Sequence, residues 1–302
     1  MYLSHELKLN TDREVALALG TFDGLHLGHQ AVLRGAADSG YMPVVLTFDD
    51  HPRRYLEQEN PPMLLPQDDK TTLLASFGIQ AELLLDFSRI RNLAPKDFLD
   101  QVCQALPVRL FSCGYNYRFG KNGAGDAAFL KDYAAERGIE VRIAPPVEIE
   151  GIPVSSTLIR QLLLDGKMEA AALRLGRPFS FFLEVVGGDQ RGRTIGFPTI
   201  NQILPDGLLQ PKFGVYVSRT EIDGKSYPSV TNVGIRPTFL ADRALCETHI
   251  IDYAGDLYSR TLRVELIHFL RGETKFDSLE ALKNAISRDL RSSLYYEKSL
   301  SL

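Results

Sequence analysis

The feature that most constrains the fold is a change of rhythm partway along the chain. Up to about residue 150, short apolar runs alternate with longer amphipathic ones. EVALAL ending at Leu19, PVVLTF ending at Phe48, AELLLDF around Leu84, RLFS around Phe111 and EVRIAP around Ile143 have the lengths of buried strands. Between them, HQAVLRGAAD, DDKTTLLASFG, APKDFLDQVCQAL and AAFLKDYAAERG carry helical spacing, with a glycine stop in the second and a proline in the first turn of the third. Strands alternating with helices predict βαβ units, a mostly parallel sheet and ligands at the carboxyl ends of its strands. From about Phe179 the pattern is different: FFLEVVGG, GVYVSRTEI, KSYPSVTNV, ETHIIDY and TLRVELIHFL follow one another with turn-rich joints. That succession predicts a small antiparallel β-barrel or sandwich. DSLEALKNAISRDLRSSL then reads as a terminal helix, with Asp277 and Glu280 spaced as a capping box. The expected class is α/β followed by β, with the seam after VSSTLIRQLLLDGKMEAAALRLG, so that residues 1–176 and 177–302 form the two domains.

Composition narrows the functional classes. The chain has 302 residues, enough for two ordinary domains. Its net charge of -4 disfavours non-specific nucleic-acid binding, which relies on clustered Lys and Arg, so any phosphate it takes should be held locally. Cys103, Cys113 and Cys246 show no CxxC spacing, which points to neither a zinc site nor a disulfide framework and fits a reducing compartment. MYLSHELKLNTDRE lacks the basic-then-apolar pattern of a signal peptide, and no run reaches the roughly 20 apolar residues of a membrane span. A cytoplasmic protein with no membrane or nucleic-acid partner is expected; the oligomeric state stays open.

One stretch carries chemistry by itself. In LALGTFDGLHLGHQAVL a strand ends at Leu19, GTFDG turns the chain, and a helix starts near Leu27, which places His26 and His29 at its N-terminus. Unpaired N–H groups and a positive helix dipole make such a terminus an anion site, and Gly20, Gly24 and Gly28 let backbone approach a phosphate. Two imidazoles three residues apart share a face and can donate to one group. A metal pair and a purely capping role are the rival readings, while a P-loop is excluded because no GxxxxGK[ST] occurs.

GTFDGLHLGH resembles the signature of bacterial bifunctional riboflavin kinase/FAD synthetases, a branch of the His-x-Gly-His nucleotidyltransferases. LTFDDHP, CGYNYRFGKNGAGD and VSSTLIR resemble that family's next segments, and GRTIGFPTIN, TNVGIRPTF, ETHIIDY and HFLRGETKF resemble its kinase half. The resemblance covers nearly the whole chain, and eight segments in order make it specific. It implies a Rossmann-like nucleotidyltransferase domain followed by a riboflavin kinase barrel. FMN adenylylation would use His26 and His29 on the phosphates, with Gly20, Phe22, Gly24, Asn116, Ser156, Thr157 and Arg160 around the nucleotide and Asp49 and His51 beside the flavin. Read alone, SSTLIR is also a helix cap, NYRFGKNG a polar loop, and Asp49 and His51 turn residues before Pro52.

For the kinase half the resemblance implies ATP at Gly192, Gly196 and Thr199, Mg²⁺ on Thr199 and Asn201, Glu247 as base for the riboflavin hydroxyl, and Arg271 near the flavin. Read alone, Glu247 and His249 are the solvent face of an alternating strand. The substrates implied are ATP, riboflavin and FMN. Two departures from the family pattern, Phe182-Leu183 in the strand that opens the barrel and Ser259 after Leu-Tyr, replace usual glycines and are expected to touch a bulge or turn. A monofunctional FMN adenylyltransferase with an impaired barrel, or a non-catalytic flavin-binding regulator, are the alternatives.

Overall fold

The protein is described from a computed structural model, which describes residues 1–49, 52–56, 60–188, 191–235 and 244–300. It divides into two compact units, Met1–Ser156 and Thr157–Leu302.

The first unit runs β1 (Tyr2–Ser4), β2 (Val15–Leu19), α1 (Leu27–Ala37), β3 (Met42–Phe48), α2 (Arg53–Leu56), α3 (Gln67–Ser76), β4 (Ala81–Leu85), α4 (Phe87–Ile90), α5 (Pro95–Ala105), β5 (Val108–Gly114), α6 (Ala127–Ala135) and β6 (Glu140–Ala144), then a short hairpin of β7 (Glu148–Ile149) and β8 (Ile152–Pro153). The six long-range strands form one parallel sheet in the order β1-β4-β3-β2-β5-β6. Every residue of β2 is buried, as a parallel strand covered on both faces requires. Val15, Leu17 and Leu19 pack with Phe98, Leu99, Val102 and Leu130, whereas Ala16 and Ala18 face Val32, Leu33, Ala36 and Leu74. The small residues on the second face let α1 lie close to the sheet. Each leucine so buried contributes roughly 1.5–3 kcal/mol. All five expected strands and four expected helices are present, and β1 is an edge strand that the sequence pattern did not reveal.

The second unit contains the rest of α7 (Ser156–Leu164), then α8 (Met168–Leu175), β9 (Phe179–Glu184), α9 (Arg191–Thr194), β10 (Ile200–Ile203), β11 (Gly214–Ile222), β12 (Lys225–Ile235), β13 (Ala244–Ile250), β14 (Thr261–Arg271) and α10 (Leu279–Leu300). The sheet is antiparallel in the order β10-β13-β12-β11-β14-β9 and curls so that its edges meet. Val186 N donates to Asn201 O (2.8 Å), and the buried Gln202 amide donates to Leu183 O (2.6 Å) and Leu262 O (2.9 Å), which ties the two edge strands together. A fully buried chain of hydroxyls, Thr220–Ser229–Ser218–Thr231–Thr248, links β11, β12 and β13 at 2.7–3.0 Å. Each hydroxyl finds its partner in another hydroxyl, which is how a polar stripe survives burial. Ser293 of α10 donates to Ser229 O (3.0 Å) on the same stripe.

Two local expectations turn out differently. The terminal helix is capped by Ser278, whose Oγ accepts from Ala281 N (3.1 Å), so the cap falls one residue after Asp277 and the reciprocal box expected from Asp277 and Glu280 does not form. PTIN leads into a strand, β10. At Phe182-Leu183 the β9–β14 ladder keeps an unbroken register, so this departure creates no bulge. Ser259, by contrast, has φ 59°, the left-handed backbone that glycine adopts without strain.

Candidate active sites

In the first sheet β3 and β4 lie on one side of β2 and β5 and β6 on the other. The strand order therefore reverses between β2 and β5, and the crevice at their carboxyl ends is where such sheets bind ligands. GTFDGLHLGH leaves the end of β2 there, and GYNYRFG leaves the end of β5, with exposed Asn116 two residues beyond the strand.

The turn is strongly bent. Phe22 (φ 52°), Gly24 (φ 78°) and Leu25 (φ 44°) are all left-handed, and a Cβ on Gly24 would press into Leu64 at 2.8 Å. Left-handed phenylalanine and leucine are costly and persist only where the surroundings enforce them. Both side chains are fully buried, and a Cβ on Gly20 would press on the folded-back Phe22 ring at 3.1 Å. His26 is the N-cap of α1: its Nδ1 accepts from His29 N (3.3 Å). An accepting Nδ1 places the proton of the neutral ring on Nε2, making that nitrogen a donor. The capping and phosphate-binding readings are thus compatible.

The two imidazoles stack with centroids 3.7 Å apart, and Phe22 meets His29 edge-on at 5.5 Å. Gly28 permits the stack, since a Cβ there would lie 3.1 Å from His26 Cε1. His29 Nδ1 is buried without a hydrogen-bond partner among the described residues, so it is a polar atom whose burial the protein alone does not offset. Burial, then the neighbouring His26 and Lys70, hold the His29 pKa well below the usual histidine value. His29 is therefore neutral at physiological pH.

Ser156 Oγ donates to Asp23 O (2.9 Å), bringing the start of α7 onto the turn. Thr157 is exposed one residue on, and Arg160 is buried a turn later in α7. Asp49 is exposed just past β3, where its N–H donates to Leu85 O (3.1 Å). His51 lies outside the described residues.

The second site is read from strand register. Asn201 of β10 and Asn232 of β12 are the Cα partners of Glu247 on β13, so the three side chains share one face at one level. Thr199 lies just before β10, and its Oγ1 would lie 3.4 Å from a Cβ on Gly192. A Cβ on Gly192 would lie 2.3 Å from Phe197 O, and one on Gly188 would lie 2.3 Å from Asn201 Nδ2, so both glycines lie against the same loop and strand. Gly196 turns the loop at φ 92° with open space beside it. His249 Nδ1 is 2.7 Å from Pro198 O, which ties β13 to the segment before Thr199. Oxygen donors from Thr, Asn and Glu suit a hard cation that keeps some of its water. Among the described residues no cluster of three His, Cys, Asp or Glu side chains exists to hold a softer metal. Arg271 ends β14, and its guanidinium is engaged by the largely buried Asp289 of α10 through Nε (3.2 Å) and an Nη (2.8 Å).

Two features escaped the sequence reading. Asn232 is aligned with Glu247 only through the β12–β13 register. Lys70 and Glu82 are buried charges, and a signal for them existed: a glutamate inside AELLLD must be paired if that strand is interior, and Lys70 stands four residues from buried Leu74 on the same helix face.

Residues 8–158 match the FAD synthetase family and residues 175–296 the riboflavin kinase family. The chain is 37% identical over 285 residues to the bifunctional riboflavin kinase/FMN adenylyltransferase of Pseudomonas fluorescens, covering 92% of this chain and 91% of that one. It is 35% identical to the enzyme of the same name from Listeria monocytogenes, covering 96% and 95%. A crystal structure described as a macrolide-efflux protein from Streptococcus pneumoniae superposes with a TM-score of 0.87 at 34% identity over 96% of this chain and 97% of that one. Among the described residues no helix is long and apolar enough to cross a membrane. With both family matches in order and full-length relatives above 30% identity, the chain belongs to the bifunctional riboflavin kinase/FMN adenylyltransferase family.

Proposed function

We propose that this chain carries one flavin through two ATP-dependent transfers: phosphorylation of riboflavin to FMN, then adenylylation of FMN to FAD with release of pyrophosphate. The observation that supports the reading is that one family member holds two chemically different arrangements suited to phosphate, a helix N-terminus where the buried Nδ1 of His29 has no partner among the described residues and a strand face with a carboxylate between two amides.

In the first reaction a phosphate oxygen of FMN attacks the α-phosphorus of ATP. His26 Nε2–H and the His29 ring donate to oxygens on which charge builds. Gly20, Phe22, Gly24 and Asn116 border the nucleotide, and Ser156, Thr157 and Arg160 close over it, the guanidinium gripping pyrophosphate oxygens in bidentate fashion. Asp49 and His51 border the flavin. In the second reaction Glu247 takes the proton of the riboflavin 5′-hydroxyl as that oxygen attacks the γ-phosphorus of ATP and ADP leaves. Gly192 and Gly196 let loop backbone cradle the phosphates, and Thr199 and Asn201 would hold Mg²⁺, which when bound neutralises charge on those phosphates. Arg271, held by Asp289, flanks the flavin.

Functionally we assign residues 1–176 to adenylyl transfer and 177–302 to the kinase. The resemblance assigns Thr157 and Arg160, and with them α7, to the first activity, although α7 from Thr157 onward and α8 belong to the second compact unit. The setting is the cytoplasm, and the partners are small molecules, not nucleic acid. Purified protein given riboflavin, Mg²⁺ and ATP should yield FMN and then FAD on chromatography; formation of neither overturns the reading. FAD from supplied FMN but not from riboflavin would identify an adenylyltransferase with an impaired barrel.

A further inference from the structure

The chemistry above leaves one buried ammonium unused. We propose that Lys70 is a positioning residue for adenylyl transfer, pinning the GTFDG turn from beneath and fixing a positive charge beside His29. The proposal rests on the reading of that turn as the adenylyl-transfer centre.

Lys70 belongs to α3 and is 6% exposed. Its Nζ donates to Thr21 O (3.2 Å), within the turn, and to Thr47 Oγ1 (3.0 Å) near the end of β3. Thr47 Oγ1 itself donates to Thr21 O at 3.0 Å, so two donors converge on one carbonyl. Glu82 Oε1 of β4 lies 3.8 Å from Nζ and is fully buried, with Gln67 Nε2 (3.0 Å) and Thr71 Oγ1 (2.8 Å) satisfying its carboxylate. A buried ion pair is a poor source of stability compared with apolar packing, so its placement calls for another reason.

The turn supplies that reason. The backbone that follows Thr21 is left-handed at Phe22, Gly24 and Leu25, and such a conformation persists only if clamped. Lys70 and Thr47 clamp the carbonyl of Thr21. Asp23 is clamped twice more, by Leu64 N on Oδ1 (2.8 Å) and by Ser156 Oγ on its carbonyl (2.9 Å). Because a trans peptide points its N–H opposite its C=O, holding Thr21 O inward also fixes the direction of the Phe22 amide.

The charge has a second consequence. The titratable groups acting on His29 are His26 from its own helix and Lys70 from α3, while Asp23 and Glu82 act on Lys70. Burial, and then His26, do most to hold the His29 pKa down, and the Lys70 charge adds to them.

The test uses the full-length protein carrying Lys70→Met together with Glu82→Gln, which removes the pair without leaving a buried charge, and separately Lys70→Arg. FAD formation from FMN and ATP is followed over roughly pH 5–9, with FMN formation from riboflavin measured in the same preparations as a control on folding. The double variant should lose about tenfold or more in kcat for FAD, as small misplacements of catalytic groups do. Its acid limb should move to higher pH, because removing a cation lets His29 protonate more readily. Lys70→Arg should bring the limb back. FMN formation should not change. An unaltered kcat overturns the proposal, and so does a lower kcat with the acid limb unmoved, which would make the ammonium purely structural. Unsubstituted protein that forms FMN but no FAD overturns the reading of the turn itself and the proposal with it.

Discussion

In the first unit the proposed phosphate site is one continuous segment: residues 20–29 supply the turn, the cap and both histidines. In the second the proposed site is assembled from Asn201 on one strand with Thr199 just before it, Asn232 on another and Glu247 on a third, with Gly192 from the short α9 and Gly196 from the loop after it. The difference follows from the sheets. A parallel sheet delivers helix N-termini to its carboxyl edge, so backbone N–H groups and a dipole are available without any side chain. An antiparallel sheet has little net dipole, and its phosphate chemistry must come from side chains and loop amides. The first design concentrates strain, in two buried residues with positive φ; the second concentrates register, since a one-residue slip of β13 would turn Glu247 to the opposite face.

The largest expected effect separates the two sites outright. His29→Ala should lower FAD formation by about 10²–10³-fold, the usual loss when a donor to a developing charge is removed, and leave FMN formation intact. Glu247→Gln should lower FMN formation by about 10²–10⁴-fold, as loss of a general base does, and spare FAD formation from supplied FMN. Steady-state rates for each product check both. One substitution that abolished both activities in a folded protein would dissolve the comparison.

Next come the glycines, where steric margins differ between the units. A Cβ at residue 192 meets the backbone oxygen of Phe197 at 2.3 Å, which cannot yield without moving the loop. A Cβ at residue 28 meets the edge of the His26 ring at 3.1 Å, and a ring can tilt. Gly192→Ala should therefore cost FMN formation on the order of 10²-fold, since misplacing the phosphates by an ångström is enough. Gly28→Ala should cost FAD formation about tenfold or less by the same measure. Equal losses would remove the distinction between a backbone-limited and a side-chain-limited site.

Acid should also act unequally. The His29 pKa is depressed by burial, His26 and Lys70, so below the ordinary histidine range the unfolded chain binds a proton that the folded unit refuses. The first unit's stability is therefore full above about pH 6.5 and declines below it, by at most about 1.4 kcal/mol per pH unit for one proton. In the second unit Glu169 is partly buried, which opposes ionisation, yet the Tyr296 hydroxyl (2.6 Å) and His268 hold its pKa below 4.5. That carboxylate stabilises the fold above its ordinary pKa and loses the contribution only as pH falls through the lowered value. On stepwise acidification the first unit should become sensitive to urea before the second, as read by limited proteolysis of each unit, and His29→Gln should abolish the lead.

What was legible in the sequence follows the same division. The strand–turn–helix unit and both histidines are contiguous, so periodicity and glycine spacing sufficed to place them. The support beneath them was only half legible: a glutamate inside AELLLDF signals a buried charge in need of a partner, but that Lys70 is the partner emerges only when α3 docks on β4. β10 went unseen as a strand because its four residues, Ile-Asn-Gln-Ile, lack period-two alternation and follow closely on a proline. Its partner Asn232 became visible only through pairing. The cap of α10 was misplaced by one position because Asp277 and Ser278 are both good cap residues, and only geometry chooses between them.

The smallest expected effect tests whether strain means the same thing in both units. Phe22 and Ser259 both have positive φ, at 52° and 59°, but Phe22 is fully buried against the histidines, while Ser259 is exposed and merely passes its N–H to Val185 O (3.0 Å). Phe22 cannot become glycine without forfeiting a buried ring, at about 3–5 kcal/mol on the scale of Phe→Ala changes in a core. Ser259→Gly forfeits nothing comparable. It removes the Cβ clash of the left-handed backbone and adds some freedom to the unfolded chain, for a net gain of about 0.5–1 kcal/mol. Thermal or urea unfolding should show that gain in the second unit with the kinetics of FMN formation unchanged. A loss of stability would mean that the serine hydroxyl contributes to the turn, and a change in FMN kinetics would mean that strain at residue 259, like strain at residue 22, serves the site.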